Sequence, residues 1–418
     1  MKGNNLFYYL IGLCICWTAC VNVNATDNTV DLSKNIYRED HHAVEIKVKM
    51  QEKLGLLDYF TRVTNIIKID TTLVVGELGK TIFSDDRLYV LDGKTNVLFC
   101  LDTTGRLIWK YDKIGGGPME YKKMGDFHIR DGQILILDPY GRKIIRLNKN
   151  GTFAGYTSTK QIKGGIYPEL IFQDEQGKYV LFTRDMGNAM EFPYEFAIMD
   201  SSLKILGSAH IGKSKEPRIK RWSSESFPVR PFSDNTGFFY TRPLDDTIYA
   251  FEKDVFKSKY VIDFGHRKVP SAMRKLSSLT LDNFLETGYA SNLQFVFETD
   301  SVLTFSYYLT HHLQTVFYNK YTKQQDEFSM ILLNMGISLQ QIRIIGTWKN
   351  KFLMQVEPQV LLAAVVQYKK DHPGKNQAEI NAEIKQKYPL LSEMLQNTTV
   401  NSNPILLCVE PINSKLFK

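Results

Sequence analysis

Arg87-Leu-Tyr-Val-Leu-Asp92, then Val97-Leu-Phe-Cys-Leu-Asp102, Thr103-Thr-Gly105 and Arg106-Leu-Ile-Trp-Lys-Tyr111, is a phrase that this chain writes twice. The second copy reads Gln133-Ile-Leu-Ile-Leu-Asp138, Lys143-Ile-Ile-Arg-Leu-Asn148, Lys149-Asn-Gly151 and Thr152-Phe-Ala-Gly-Tyr156. Asp92 and Asp138 stand 46 residues apart, as do Gly105 and Gly151. Short apolar strands and tight turns at a fixed period of this size mark the blades of a propeller.

Further strand pairs extend the pattern. Tyr179-Val-Leu-Phe is followed by Glu195-Phe-Ala-Ile-Met, Phe238-Phe-Tyr by Thr247-Ile-Tyr-Ala-Phe, and Leu303-Thr-Phe-Ser-Tyr-Tyr by Thr315-Val-Phe-Tyr. Phe352-Leu-Met-Gln-Val and Ile405-Leu-Leu-Cys-Val form the last pair. With the two copies above, six pairs predict an all-β, six-bladed β-propeller. Many of these strands are apolar on both faces, as expected where each sheet lies between two neighbours. At 418 residues the chain exceeds one ordinary core, but repeat folds grow by adding units.

Three connections are longer than the period requires: Ser208 to Asp234, Gly265 to Leu293 and Glu357 to Pro404. In the third, Ala378, Ile380, Ile384, Tyr388, Leu391 and Leu395 recur at helical spacing. This predicts a partly helical insertion, 357–404, inside the last blade, protruding from the ring as a solvated decoration or a lid. Before the first repeat, Val44-Glu-Ile-Lys-Val-Lys-Met50 alternates like a strand, and Leu54 to Thr72 holds another. Such early strands commonly complete the last blade, which would otherwise keep an open edge. The domains expected are a leader over 1–25, a tether and strand over 26–53, and the propeller over 54–418.

The leader is an address. Lys2 precedes a short apolar run, Leu6 to Trp17, of secretory length. Trp17-Thr-Ala-Cys20 resembles a lipoprotein box, while Val23-Asn-Ala25 offers an ordinary cleavage site. Lipidation of Cys20 is the preferred reading, because diacylation gives stable anchoring. Either route places the mature chain outside the cytoplasm, and the absence of an acid before Asp27 favours the periplasmic side over the outer surface. Of five cysteines, only Cys100 and Cys408 then remain. Both sit in apolar strand patterns as small buried hydrophobes, with a disulfide between them as the alternative.

Lysine and arginine exceed the acids by a formal +7, but the charges are spread along the chain. Nucleic-acid binding calls for a concentrated basic stripe and is not expected. No G-x-S-x-G elbow, nucleophilic cysteine setting, C-x-x-C or H-E-x-x-H spacing occurs. No catalytic residue, cofactor or resident metal is therefore assigned.

Three stretches carry a resemblance: Leu57-Asp-Tyr-Phe60 through Ile67-Lys-Ile-Asp-Thr-Thr72, Ile114-Gly-Gly-Gly-Pro-Met-Glu-Tyr121, and the hairpin phrase ending in Leu-Asp. They resemble the six-bladed β-propeller lipoproteins common in Bacteroidetes-type bacteria, related in blade pattern to NHL-repeat and TolB-like propellers. The second stretch is close to that family's inter-blade I-G-x-G-P-x-E-Y. Its glycines resemble a phosphate loop, but it lacks the Gly-Lys-Ser/Thr ending and reads as a blade crossing. The resemblance implies fold and class, not an activity.

If strands a to d run outward from the axis, the b-to-c turns and the d-to-a crossings share one face, where propellers usually bind ligands. Asp92 and Asp138, after the first two b strands, are expected to close their turns by accepting backbone hydrogen bonds. Arg184 and Arg242 hold similar positions, and two guanidinium groups there could grip a carboxylate or sulfate; ordinary solvated charge is the commoner role. Adjacent strand residues point to opposite faces, so only one of His311 and His312 can line a metal site. Arg218, Lys220, Arg221 and Trp222 fall in a crossing, where an aromatic beside cations suits an acidic sugar or peptide, although charge runs are usually wet loops.

The leading expectation is a lipid-anchored, extracytoplasmic binding or scaffold protein, monomeric or part of an envelope complex. Its ligand would be a small molecule, glycan or peptide, with an anionic glycan or peptide preferred. A propeller enzyme of the lactonase or lyase kind, with metal at the central channel, is the alternative; a passive docking subunit is the third reading.

Overall fold

A computed structural model describes residues 37–38, 42–49, 54–56, 61–160, 162, 168–183, 196–209, 232–233, 237–242, 244–273, 281–328, 330–332 and 343–411. Four strands precede the repeats: β1 (Tyr37–Arg38), β2 (Val44–Lys47), β3 (Leu54–Leu56) and β4 (Thr61–Lys68). Blade 1 is β5 (Leu78–Ser84), β6 (Arg87–Asp92), β7 (Leu98–Asp102) and β8 (Leu107–Tyr111). Blade 2 is β9 (Asp126–Arg130), β10 (Gln133–Asp138), β11 (Lys143–Asn148) and β12 (Phe153–Ser158). Blade 3 is β13 (Pro168–Gln173), β14 (Tyr179–Thr183), β15 (Phe196–Met199) and β16 (Ile205–Ala209).

Blade 4 is β17 (Phe232–Ser233), β18 (Phe238–Thr241), β19 (Thr247–Glu252) and β20 (Val255–Asp263). A short helix, α1 (Leu281–Leu285), leads into blade 5: β21 (Ala290–Glu298), β22 (Val302–Leu309), β23 (His312–Asn319) and β24 (Gln325–Phe328). After β25 (Met330–Leu332), blade 6 takes β26 (Arg343–Trp348) and β27 (Lys351–Val356). Helices α2 (Pro358–Asp371), α3 (Gln377–Lys387) and α4 (Pro389–Leu395) intervene before β28 (Ile405–Pro411). All six hairpins read from the sequence are antiparallel neighbours, β6 with β7, β10 with β11, β14 with β15, β18 with β19, β22 with β23 and β27 with β28.

The ring closes because alternate residues of each strand feed the cores on either side of its sheet. Ile134 and Ile136 join Tyr89 and Cys100 between blades 1 and 2. Leu135 and Leu137 join Ile171 and Leu181 between blades 2 and 3. Phe182 meets Phe238 between blades 3 and 4, and Ile248 meets Phe305 between blades 4 and 5. Phe317 meets Phe352 between blades 5 and 6, and Leu353 and Leu406 meet Leu88 and Val90 between blades 6 and 1. Six sheets with six shared layers make a closed circle. Each fully buried aliphatic side chain in these layers contributes about 1.5–3 kcal/mol relative to exposure.

As expected, the chain's beginning completes its last blade: β4 pairs antiparallel with β28, from Ile405 opposite Lys68 to Pro411 opposite Thr61. The segment before it is more than a tether. β1 and β2 lie parallel along β20, on the outer edge of blade 4, and β3 lies parallel to β25. The N-terminal strands thus cover the outer edges of blade 4 and blade 6, edges that would otherwise invite pairing with another chain.

The helical stretch expected over Asn376–Gln396 is α3 and α4. Asn376 caps α3 in a capping box, its Oδ1 accepting from Glu379 N at 3.0 Å while its own N–H donates to Glu379 Oε2 at 2.8 Å. Helix α2 was not marked by spacing, because Val360-Leu-Leu-Ala-Ala-Val-Val366 is apolar without a one-face period. Nor does the insertion stand free of the ring. Leu361, Ile380, Ile384, Leu391 and Met394 are buried in the same cluster as Phe352 and Leu407 of blade 6 and Phe317 of blade 5. Lys68 Nζ also donates to the carbonyls of Glu393 and Gln396, at 2.5 and 2.9 Å, closing the end of α4 against β4.

Candidate functional site

The face that carries the b-to-c turns is shaped, over blades 1 and 2, by two identical devices. Asp92 Oδ2 and Oδ1 accept from the N–H groups of Gly76 and Glu77, at 2.8 and 3.1 Å, in the crossing that enters blade 1. Asp138 Oδ2 and Oδ1 accept from Lys122 and Lys123, at 2.9 and 3.3 Å, in the crossing that enters blade 2. Each carboxylate also holds its own turn. Asp92 accepts from Lys94 N, Thr95 N and Thr95 Oγ1, and Asp138 from Gly141 N at 2.7 Å. A Cβ at Gly141 would come within 2.0 Å of Asp138 Oδ2, so a side chain there would displace the carboxylate from the turn. Burial alone would raise the Asp92 carboxyl, but the donors of Thr95, Gly76 and Lys94 hold it below its ordinary value. Both aspartates are wholly buried and serve the fold, as expected of them.

The crossing from blade 1 to blade 2 is the Ile114–Tyr121 motif. Tyr121 N donates to Lys113 O at 2.8 Å and Gly115 N to Tyr121 O at 2.9 Å, which pinches the loop into a closed bulb. Glu120 folds back inside it, Oε2 accepting from Gly117 N at 2.7 Å. A Cβ at Gly115 would lie 2.2 Å from that carboxylate. The Tyr121 ring is buried, with its hydroxyl donating to Asn96 O at 2.7 Å, and Met124 N donates to Asn96 Oδ1 at 3.0 Å. The motif thus locks the crossing onto the blade 1 turn.

What this rigid face displays is basic and partly apolar. Lys94, Lys113, Lys122, Lys123 and Lys160 are exposed on its turns and crossings. Tyr140 is 66%, Ile114 61% and Met119 46% exposed. Lys123 Nζ lies 5.7 Å from the centre of the Tyr140 ring, within cation–π reach. Among the described residues Lys94, Lys122 and Lys123 enter no salt bridge, whereas the nearby Asp112 is paired with Lys110 at 2.8 Å. An aromatic beside a cation free of any salt bridge among the described residues can accept an acidic group.

A family model described as a domain of unknown function, DUF4934, matches residues 43–410. The chain belongs to the DUF4934 family. No curated protein matches it. Among solved structures, the DUF4934 chain is similar to the "putative exported protein" of Bacteroides fragilis, at 17% identity and a TM-score of 0.67, covering 88% of this chain and 99% of that one. It is also similar to a member of the DUF4221 family from Bacteroides vulgatus, at 6% identity and a TM-score of 0.46, over 84% and 99% of the two chains.

The DUF4934 chain places its other candidate residues as follows. Cys20, Arg184, Arg218, Lys220, Arg221 and Trp222 lie outside the described residues. Arg242 follows β18 with its side chain only 17% exposed, and its Nη1 stands 4.0 Å from Asp245 Oδ2. The same carboxylate accepts from Tyr249 Oη at 2.9 Å. Burial, then Asp245, pushes the Tyr249 phenol well above its ordinary value. Arg242 is thus drawn into a local cluster rather than held out to solvent. His311 and His312 are both exposed at the tight turn between β22 and β23. Among the described residues, no three His, Cys, Asp or Glu side chains gather to hold a metal.

The innermost strands carry polar groups that sequence reading missed. Asp126, buried in β9, takes Lys80 Nζ of blade 1 at 3.0 Å and Ile171 N of blade 3 at 2.8 Å, bridging three blades. Burial pushes its carboxyl up despite these partners. His128, two residues on, packs 4.8 Å from the Phe172 ring. Burial, with Lys80 nearby, lowers its pKa to about 3, against a backbone hydrogen bond at Gln173 that raises it. Asp126, His128 and Arg130 alternate with the apolar Phe127 and Ile129, and that alternation is the signal that could have placed them on one face.

Proposed function

We propose that this DUF4934 chain is an extracytoplasmic binding or scaffold protein whose turn-and-crossing face, over blades 1 and 2, recognises an anionic glycan or peptide. The observation that carries the reading is the exposed Lys94, Lys122 and Lys123, with Lys123 over the Tyr140 ring, on a backbone pinned by Asp92 and Asp138. A preorganised cationic surface with an aromatic platform holds acidic polymers without reorganising first. Its attraction is long-ranged and screened by salt. Export is supported by the secretory start of the sequence, Lys2 with Leu6 to Trp17, and it agrees with the printed name of the Bacteroides fragilis protein. Lipidation at Cys20 would hold the propeller at a membrane surface.

The test is calorimetric titration of the full chain with polygalacturonate, poly-γ-glutamate and neutral dextran. Binding of an acidic polymer, weakening as salt rises and falling about tenfold or more in Lys122→Glu/Lys123→Glu, is the expected result. Equal binding of dextran, or no effect of the double variant, would overturn it. Anchoring is read separately: Cys20→Ala should move the protein from the membrane to the soluble fraction, and retention in the membrane would refute lipidation there.

A further inference from the structure

On the opposite face of the ring, the a-to-b turns of blades 2 and 3 enclose a cleft of about 280 Å³, lined by Arg130, Asp131, Gln133, Gln173, Asp174 and Gly177. Its walls are rigid for local reasons. Arg130 and Gln133 are paired residues closing the β9–β10 hairpin, and Asp131 and Gly132 between them both take positive φ, 49° and 74°. That is a two-residue turn whose twist matches its strands. In the neighbouring turn Asp174 Oδ1 accepts from Gln176 N and Lys178 N, at 2.9 and 2.8 Å. Gln173 Nε2 donates to Gly177 O at 3.2 Å.

Arg130 is the feature these walls do not account for. Its side chain is 31% exposed, and its Nε is buried with no hydrogen-bond partner among the described residues. Its ion pair is with Asp131 Oδ2 at 3.6 Å, longer than a hydrogen bond, and that carboxylate is 88% exposed. Leaving this buried Nε–H donor unmade is unfavourable unless something supplies an acceptor. The planar fork fits a carboxylate in bidentate fashion. His128, two residues earlier on the same strand face, packs against Phe172 of blade 3, so Arg130 is directed toward the blade 3 side of the cleft. Two acids, Asp131 and Asp174, flank this one cation. A ligand carrying only negative charge would meet them unfavourably, whereas one that also carries an ammonium group would be matched at both ends.

We propose that this cleft binds a small zwitterion of the α-amino-acid type, its carboxylate on Arg130 and its ammonium toward Asp131 and Asp174. The amides of Gln133 and Gln173 would then face its polar substituents. The site is separate from the polymer-binding face and does not depend on it.

The experiment is a thermal-shift screen followed by calorimetric titration of the full chain with the free α-amino acids, acetate and methylamine. At least one amino acid should raise the melting temperature and bind at least tenfold more tightly than acetate or methylamine. Arg130→Gln should abolish that binding and Asp131→Asn weaken it several-fold, while Lys122→Glu/Lys123→Glu leaves it unchanged. Arg130→Lys keeps the charge but loses the fork, and should bind at least tenfold more weakly than the wild-type chain. Absence of any amino-acid binding, acetate binding as tightly as the amino acids, or a folded Arg130→Gln that binds normally would each overturn the proposal.

Discussion

Blades 1 and 2 hold their incoming crossings with a carboxylate, whereas blade 5 holds its own with a small apolar core. Asp92 reaches back to Gly76 and Glu77, and Asp138 to Lys122 and Lys123, each over 16 and 15 residues of chain. The hairpin of blade 5 closes instead at Thr310 and His311, with no acid in the turn. Its crossing is longer, and Val269, Phe284 and Leu285 pack there with Leu244 from the blade 4 turn, flanked by Met273, Tyr289 and Tyr308. A short loop has too few side chains to build a core, so its backbone N–H groups must be tied down one by one. A long one can bury its own apolar residues. The same topological task is met by hydrogen bonds where the period is strict and by hydrophobic burial where it has been lengthened.

The difference should show first in the size of the losses. Phe284 is completely buried in the blade 5 cluster, and Phe284→Ala should cost about 3–5 kcal/mol through lost transfer energy and the cavity left behind. Urea denaturation would measure it. A loss below about 1 kcal/mol would mean that the crossing contributes little to the fold and that the apolar clamp is incidental.

A smaller loss is expected for the polar device, and it should carry a pH signature. Asp92→Ala removes an acceptor from five donors, among them Gly76 N, Glu77 N and Thr95 Oγ1, at about 2–3 kcal/mol. The Asp92 carboxyl is held below its ordinary value in the fold. Its contribution is therefore present in full above the unfolded value of about 3.9 and lost as pH falls through the lower folded value. Asp92→Asn should flatten that part of the acid limb, and Phe284→Ala should leave its shape alone. Equal acid limbs in wild type and Asp92→Asn would remove the carboxylate from the account.

This contrast also explains how far the chain could be read without coordinates. The six hairpins were legible because a strand between two sheets must be apolar on both faces, and Leu-Asp followed by a glycine turn repeats that statement. The Ile114–Tyr121 crossing was legible because its glycines and Glu120 act together within eight residues. The parallel docking of β1 and β2 on β20 was not, since Tyr37 and Phe256 have no local relation that patterning could register. Helix α2 was hidden by an apolar run with no single face. The Arg130 cleft left even less trace. Asp131-Gly132 and Asp174 to Gly177 look like any hairpin turns, and only ring closure brings Arg130 and Gln173 to one cleft.

The smallest effect should come from the cysteines, one in a strict blade and one in the blade that carries the insertion. Cys100 of β7 is buried in the layer between blades 1 and 2, and Cys408 of β28 in the layer between blades 6 and 1. Both are free thiols, and they line separate cores rather than facing each other. Burial pushes each thiol up to about 11, so at pH 8 roughly one in a thousand would be thiolate even where reagent could reach it. Native protein should therefore resist a thiol reagent, and a reductant should leave its melting temperature unchanged. In mild urea the two should separate. β28 is covered on one side by β4, a strand from the far end of the chain, so local opening of that closure exposes Cys408 while β7 keeps both of its sequence-adjacent neighbours. Mass spectrometry of pulse-labelled protein should find Cys408 modified several-fold faster than Cys100. Equal rates would place the weak seam elsewhere, and would mean that the blade closed by two ends of the chain opens no more readily than the blades that repeat.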